Sequence, residues 1–256
     1  MANLDVEFRG AVAVLCIDNE TKLNALTGAI LKDLAEQLEQ LGANPTVRGL
    51  ILTGAGDRAF CAGADIKEWS QYEAFEFARE WIALGHRVLD QLTAFPKPVI
   101  AAINGMCFGG GLELAGACDV RVATTGAQFA LPETSIGINP GWSGVQRLGR
   151  LIPEALLREM ALTGARLSAQ RLYDVGFVNV LADGDPMPDA REIAARTCSL
   201  APRAVEVTKA VLNTASGEAK ALLVDQLAGA LLAKTADSQE GIAAFKEKRN
   251  AEFSGE

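Results

Sequence analysis

The stretch Pro98-Val-Ile-Ala-Ala-Ile-Asn-Gly-Met-Cys-Phe-Gly-Gly-Gly-Leu-Glu-Leu-Ala115 decides the reading of the fold. Its first half, Val99 to Ile103, is a short apolar run closed by Asn104-Gly105, the pattern of a buried strand followed by a tight turn. Its second half reads as a helix whose first turn holds Gly109, Gly110 and Gly111 and which also carries Glu113. The start of a helix presents N–H groups that lack intrahelical partners, so bare backbone at that point can hold a developing oxyanion. A glycine inside a helix costs up to roughly 1 kcal/mol relative to alanine, so three in succession require a reason. Close approach of a ligand and tight helix-on-strand packing explain the glycines equally well; the acid at Glu113 favours the ligand.

Working outward, Ala11 to Ile17, Gly49 to Leu52 and Val120 to Ala123 are further Val-, Ile- and Leu-rich runs closed by turn residues, and they read as core strands. Helical patterns lie between them. Ile30, Leu31, Leu34, Leu38 and Leu41 recur at helical spacing after Thr27, a candidate N-cap, and Phe75 to Leu92 repeats the trend. Alternation of strand and helix predicts an α/β architecture. From about Asp189 the texture changes to Ala-rich helical segments, with breaks at Ala201-Pro202 and Ser216-Gly217 and a cap around Asp237-Ser238. This divides the chain into a core over 1–190 and a helical region over 191–256. The apolar positions of that region, Val205, Val211, Leu222, Leu223, Leu227, Leu231 and Leu232, exceed what exposed helices need, which predicts packing on the main domain or on a second subunit.

The 256 residues suffice for one substantial core, and the formal net charge of −8 argues against nucleic acid as a partner, because phosphate binding draws on clustered Lys and Arg. Cys16, Cys61, Cys107, Cys118 and Cys198 are odd in number and widely spaced, so free thiols in a reducing compartment are expected and no pair has metal-ligand spacing. Met1 to Asp5 lacks the regions of a secretory leader, no apolar stretch is long enough to span a bilayer, and Ser254-Gly255-Glu256 is not a peroxisomal signal. A cytoplasmic protein without membrane attachment is the expectation.

Familiar alternatives fail on particular residues. Leu114 occupies the third glycine position of a dinucleotide fingerprint, and no Gly-Lys-Ser/Thr follows the glycines as in a P-loop. Gly141-Trp142-Ser143-Gly144 lacks nucleophile-elbow spacing, and the sole histidine, His86, falls in an amphipathic helix pattern that suits a structural or exposed residue. A second loop of small residues, Phe60-Cys61-Ala62-Gly63-Ala64-Asp65-Ile66, follows the strand ending at Leu52-Thr53-Gly54, and a second acid, Glu133, follows Pro132. Either alone is ordinary. Two small-residue backbone sites and two acids suit one carbonyl substrate, and two carboxylates near one water titrate as a coupled pair.

Taken together, Cys61-Ala-Gly-Ala-Asp-Ile-Lys67, Asn104-Gly-Met-Cys-Phe-Gly-Gly-Gly-Leu-Glu-Leu-Ala115, Phe129-Ala-Leu-Pro-Glu133 and Pro140-Gly-Trp-Ser-Gly-Val-Gln-Arg-Leu148 resemble the enoyl-CoA hydratase/isomerase (crotonase) family. Lys22-Leu-Asn-Ala-Leu26 and Glu240-Gly-Ile-Ala-Ala-Phe-Lys-Glu-Lys-Arg249 extend the likeness over most of the chain. The resemblance implies a spiral of repeated ββα units with a C-terminal helical trimerisation region, assembled as a homotrimer or a dimer of trimers. It implies an acyl-CoA thioester substrate, with no metal and no cofactor beyond the CoA of the substrate. By position, the N–H groups of Ala64 and Gly110 would form an oxyanion hole, Glu113 and Glu133 would be the catalytic acids, and the N–H of Gly141 would position the water. CoA would run along Lys22, Leu23 and Ala25 and past Ala62, Ala64, Asp65, Ile66 and Lys67 to Gly110, with Phe245 and Lys248 from the tail of the same or a neighbouring subunit.

The reaction so implied is hydration of a 2-enoyl-CoA to a 3-hydroxyacyl-CoA. Its rivals are double-bond isomerisation, which often manages with one of the two acids, and a non-catalytic acyl-CoA-binding or RNA-binding role. Two departures bear on the acyl group. Asn139 stands where many of the family carry an apolar or small residue, and Trp142-Ser143 replaces a commoner small residue and glycine, which points to a reshaped acyl pocket. The segment Glu68 to Leu84, with Trp69, Tyr72, Phe75, Phe77 and Trp81, is the candidate to line it, with Trp69, Trp81 and Trp142 foremost, although aromatic residues at helical spacing more often belong to a core.

Overall fold

The computed structural model of the protein describes residues 3–215, 217, 226, 230, 231, 234–252 and 254. Met1, Ala2, Ser216, Leu222, Leu223, Leu227, Leu232, Gly255 and Glu256, named above, lie outside them. In chain order the elements are β1 (Asn3–Arg9), β2 (Val12–Asp18), α1 (Gly28–Ala43), β3 (Gly49–Gly54), β4 (Ala59–Cys61), α2 (Ile66–Trp69), α3 (Ala74–Glu76), a π-helical turn (Phe77–Ile82), α4 (Ala83–Thr93), β5 (Val99–Ile103), β6 (Met106–Phe108) and α5 (Gly110–Gly116). There follow β7 (Val120–Thr124), β8 (Gln128–Ala130), a 3-10 turn (Pro132–Ile136), α6 (Gly144–Leu148), α7 (Glu154–Thr163), β9 (Leu167–Ser168), α8 (Ala169–Asp174), β10 (Val180–Ala182), α9 (Met187–Cys198), α10 (Pro202–Ala215) and α11 (Ala236–Glu247).

The strands form a six-stranded sheet in the order β1-β2-β3-β5-β7-β10 and a four-stranded sheet in the order β4-β6-β8-β9. β1 is antiparallel to β2, β9 is antiparallel to β8, and the remaining pairs are parallel. Three times in succession the chain lays one strand in the large sheet and the next in the small one: β3 then β4, β5 then β6, β7 then β8. Helical segments follow each of these pairs, so the ββα spiral implied by the resemblance is the architecture observed. The strands of the small sheet are only two or three residues long, too short to show a period in the sequence. The reading of a single tight turn after Ile103 is therefore corrected: Asn104-Gly105 turns the chain into β6, which pairs with β4 and β8.

Period-two alternation divides the large sheet between two cores. Leu15, Leu50, Leu52, Ala101 and Ile103 enter the main core with Leu31, Leu34 and Leu38 of α1, whereas Val14, Ile51, Ile100 and Ala102 enter a smaller one with Ala190 and Ala194 of α9. Thr27 caps α1 as its sequence suggests, accepting from Ile30 N at 3.2 Å. The far end of α5 is held by buried Arg121, which donates to Ala115 O (3.3 Å), Cys118 O (2.7 Å) and Phe177 O (2.6 Å), satisfying carbonyls that the helix end leaves open.

Chain contacts gather into two compact units, Met1–Lys209 and Ala210–Glu256. The change of texture near residue 190 falls inside the first, because α9 packs its alanines on the large sheet. Within the second unit Thr235, two residues ahead of the expected cap, begins α11 by accepting from Ser238 N at 3.1 Å. Among the described residues no helix is long and apolar enough to cross a membrane, and the five cysteines are free thiols.

The start of α5 is fixed by contact with the end of β4. A Cβ on Gly111 would lie 2.2 Å from Cys61 O, a backbone atom that cannot swing aside. Gly111→Ala is expected to lower stability by about 3 kcal/mol or more, at the upper end of overpacking costs. A urea midpoint lowered at unchanged slope is the expected observation; a wild-type midpoint would contradict the packing described.

Candidate active site

Glu113 sits in the first turn of α5 and is buried, at 2 % exposure. Its Oε1 accepts two backbone bonds at 2.8 Å each, from Trp142 N and Gly144 N. Gly144 has no side chain for a reason of space: a Cβ there would fall 2.3 Å from the Glu113 Cγ. Burial pushes the Glu113 carboxyl above its ordinary value, against the two N–H donors and the Arg147 charge, which favour the ionised form.

Glu133 lies in the 3-10 turn after β8, also buried, and its Oε2 meets no protein donor. Burial raises its carboxyl to about 7, and the charge of Glu113 adds to the rise against a bond from its own backbone N–H. A solvated first-turn acid, the commoner fate of a Pro-Glu pair, is not what the fold makes of it. Gly109 brings the two acids into one place. Its φ of 51° and ψ of −126° suit glycine, and a Cβ there would meet Glu133 Oε1 at 2.8 Å.

The two small-residue loops meet as well. A Cβ on Gly63 would lie 3.5 Å from Gly110 N, and one on Gly110 would lie 3.5 Å from Ala64 N. Leu26 N donates to Gly63 O and Asp65 N donates to Leu26 O, both at 2.8 Å, in an isolated parallel bridge. Such a bridge uses the groups on either side of Ala64 and turns the Ala64 N–H away from Leu26. Gly110 N precedes the first intrahelical bonds of α5, in which Leu112 and Glu113 donate to Gly109 O.

One cavity of about 90 Å³ is lined by both acids and by Ala62, Ala64, Ile66, Gly110 and Gly141, all singled out in the sequence. Trp69, Phe77, Trp81 and Trp142 form its aromatic wall; Tyr72 instead packs on Trp81 at 6.3 Å, and Phe75 is solvent-exposed. Asn139 also lines it and donates to Pro140 O. Lys22, Leu23, Ala25, Asp65 and Lys67 do not line the cavity but form an adjoining edge. Ala62 N donates to Leu23 O (2.9 Å), and Lys22 Nζ donates to Asp65 Oδ2 (2.5 Å). Burial works to raise the Asp65 carboxyl, but Lys22 and the N–H groups of Lys67 and Glu68 outweigh it and hold the group below its usual value. Leu23 and Asn24 both have positive φ, near 55°, an uncommon backbone for such residues that the buried Asn24 side chain fixes by donating to Ala55 O and Ala59 O. Phe245 and Lys248 belong to the second unit, where Phe245 is exposed and Lys248 ends α11.

Ile82 lies in the segment expected to line the pocket but was not singled out, and sequence reasoning missed Ile136 and Ile138 in the cavity wall and the part of Trp142 N and Gly144 N in holding Glu113. His86, assigned no catalytic part, bonds through Nδ1 with Ser143 Oγ at 2.7 Å. Among the described residues no group of three or more His, Cys, Asp or Glu side chains could hold a metal ion.

A model of the enoyl-CoA hydratase/isomerase family matches residues 7–256. The chain belongs to that family. It is 38% identical to the crotonyl-CoA hydratase of Syntrophomonas wolfei over 254 residues, covering 98% of this chain and 97% of that one. It is 37% identical to the short-chain-enoyl-CoA hydratase of Clostridium acetobutylicum over 253 residues, with the same coverage. The crystal structure of an enoyl-CoA hydratase from Bacillus anthracis superposes with a TM-score of 0.81 at 36% identity, covering 99% of this chain and 100% of that one.

The raised Glu133 carboxyl has a consequence for stability. Between the ordinary carboxylate value and about 7 the folded state holds a proton that the unfolded chain has released, so this group lowers stability as pH rises through that window. Glu133→Gln keeps the shape without the charge. Its melting temperature relative to wild type should therefore climb from about pH 4.5 to pH 7 and level off above, and a difference independent of pH would contradict the assignment.

Proposed function

We propose that the protein is an enoyl-CoA hydratase, a hydro-lyase that reversibly adds water across the 2,3 double bond of a 2-enoyl-CoA to give a 3-hydroxyacyl-CoA. The observation that carries this reading is the pair of buried carboxyls, Glu113 and Glu133, facing one cavity beside the Ala64 and Gly110 backbone. Family membership with hydratases among the relatives supports it.

In the proposed reaction the thioester oxygen is held by Ala64 N–H and Gly110 N–H. A water positioned by Gly141 N–H loses a proton to Glu113, whose carboxylate is held in place by Trp142 N–H and Gly144 N–H. The water oxygen bonds C3, the electron pair moves to the thioester oxygen as an enolate, and Glu133 delivers a proton to C2. A carboxyl near 7 holds that proton at neutral pH and also gives it up. One oxyanion donor is worth about 3 kcal/mol, and proton transfer by a positioned group about 10²–10⁴-fold. A double-bond isomerase manages with one such acid, so two in one cavity favour hydration.

In the same reading CoA runs along Lys22, Leu23 and Ala25 and past Ala62 to Lys67, with Phe245 and Lys248 contributed by the same or a neighbouring subunit. The chain works as a homotrimer or a dimer of trimers, which the exposure of Leu231, Ile242 and Phe245 supports. It asks for no cofactor beyond the CoA of its substrate. The net charge of −8 argues against RNA binding, and five free thiols suit the cytoplasm.

Loss of the conjugated enoyl absorbance of crotonyl-CoA tests the reading. Wild type should hydrate it, and Glu113→Gln and Glu133→Gln should each lower kcat by about 10²–10⁴-fold. Full activity in either variant would refute the two-acid mechanism.

A further inference from the structure

The catalytic cavity, about 90 Å³, is smaller than the ~150 Å³ apolar space that takes up a benzene ring in an engineered protein core. A second space of about 440 Å³ adjoins it, and the two share Phe77, Ile82, Ile138, Asn139 and Gly141 as common wall. Beyond the wall the larger space is bounded by Ala78, Gln146 and the hydrogen-bonded pair His86 and Ser143. Another side of the catalytic cavity is closed by Trp142. A Cβ on Gly85 would lie 2.1 Å from its indole and one on Gly110 2.6 Å, so the ring fills the gap between two glycines and is buried. An acyl chain growing beyond the cavity is thus directed at the shared wall rather than at Trp142.

Within that wall, Ile82 Cδ1 stands 2.7 Å from where a Cβ on Gly141 would be, so its side chain is pressed onto bare backbone. The π-helical turn Phe77–Ile82 is what puts it there. In an α-helix, at ~100° per residue, Ile82 would point about 140° away from Phe77. The wider i→i+5 turn swings it back, so that Phe77, Trp81 and Ile82 all face the cavity.

We propose that Ile82 is the acyl-length gate of this site: it separates the catalytic cavity from the second space and abuts the end of a crotonyl-sized chain, restricting the enzyme to short 2-enoyl thioesters. The proposal rests on the enoyl-CoA reading above. Opening the gate joins the two spaces without touching the acids or the oxyanion donors.

The test compares wild type, Ile82→Ala and Ile82→Phe on crotonyl-, hexenoyl- and octenoyl-CoA, with calorimetric binding of butyryl- and octanoyl-CoA as a readout free of chemistry. Ile82→Ala should raise the octenoyl-to-crotonyl ratio of kcat/KM about tenfold or more, and Ile82→Phe should lower the hexenoyl-to-crotonyl ratio. Adding Ala78→Trp to Ile82→Ala refills the second space and should return the ratio toward wild type. Ratios unchanged in folded Ile82→Ala and Ile82→Phe proteins overturn the gate. If wild type hydrates none of the thioesters, the hydratase reading fails, and calorimetry decides the gate alone. A tenfold gain for octanoyl- over butyryl-CoA in Ile82→Ala supports it, and an unchanged preference overturns it.

Discussion

The contact on which the site depends is between two pieces of bare backbone: the Gly109-Gly110-Gly111 turn that opens α5 and the segment Cys61–Ala64 that leads out of β4. Gly111 lies so close to Cys61 O that no side chain fits between them. That approach brings the backbone of Ala64 and Gly110 together, and it places Glu113, in the first turn of α5, against Trp142 N and Gly144 N. The conformational cost of three glycines is offset by this geometry. Of the two explanations that the glycines alone left equal, tight packing is directly visible at Gly111.

The ββα spiral is what makes the contact possible. Because each long strand of the large sheet is followed by a short one in the small sheet, β4 and β6 are neighbours, and the loops leaving them come together although some 45 residues separate them in the chain. Glu133 arrives by the next repeat, after β8, packed against Gly109, where burial raises its carboxyl to about 7. Two carboxyls of one residue type thereby acquire different environments, one held by backbone donors and the other left with an oxygen that meets no protein donor.

Much of this was legible in the residues. The core strands Gly49–Gly54 and Val99–Ile103 announce themselves by apolar runs, Val120–Thr124 by its valines, and Thr27 announces α1. The small sheet did not, since Ala59–Cys61, Met106–Phe108 and Gln128–Ala130 have three residues each and no period to detect. The π turn was equally hidden: Phe77 and Trp81 read as a helical face, and Ile82 joins them only because the turn is wider than an α-helix. The donors to Glu113 come from backbone at residues 142 and 144, on which side-chain identity is silent, although Gly144 carries a trace of it in its missing Cβ.

The central claim is that the Gly110 and Ala64 backbone polarises a thioester carbonyl, and the carbonyl stretch of crotonyl-CoA bound to the Glu133→Gln protein tests it most directly. Infrared difference spectra with a carbonyl-labelled substrate should show the band moved to lower frequency than in water, as two preorganised donors draw charge onto the oxygen. A bound band at the frequency found in water would contradict the account.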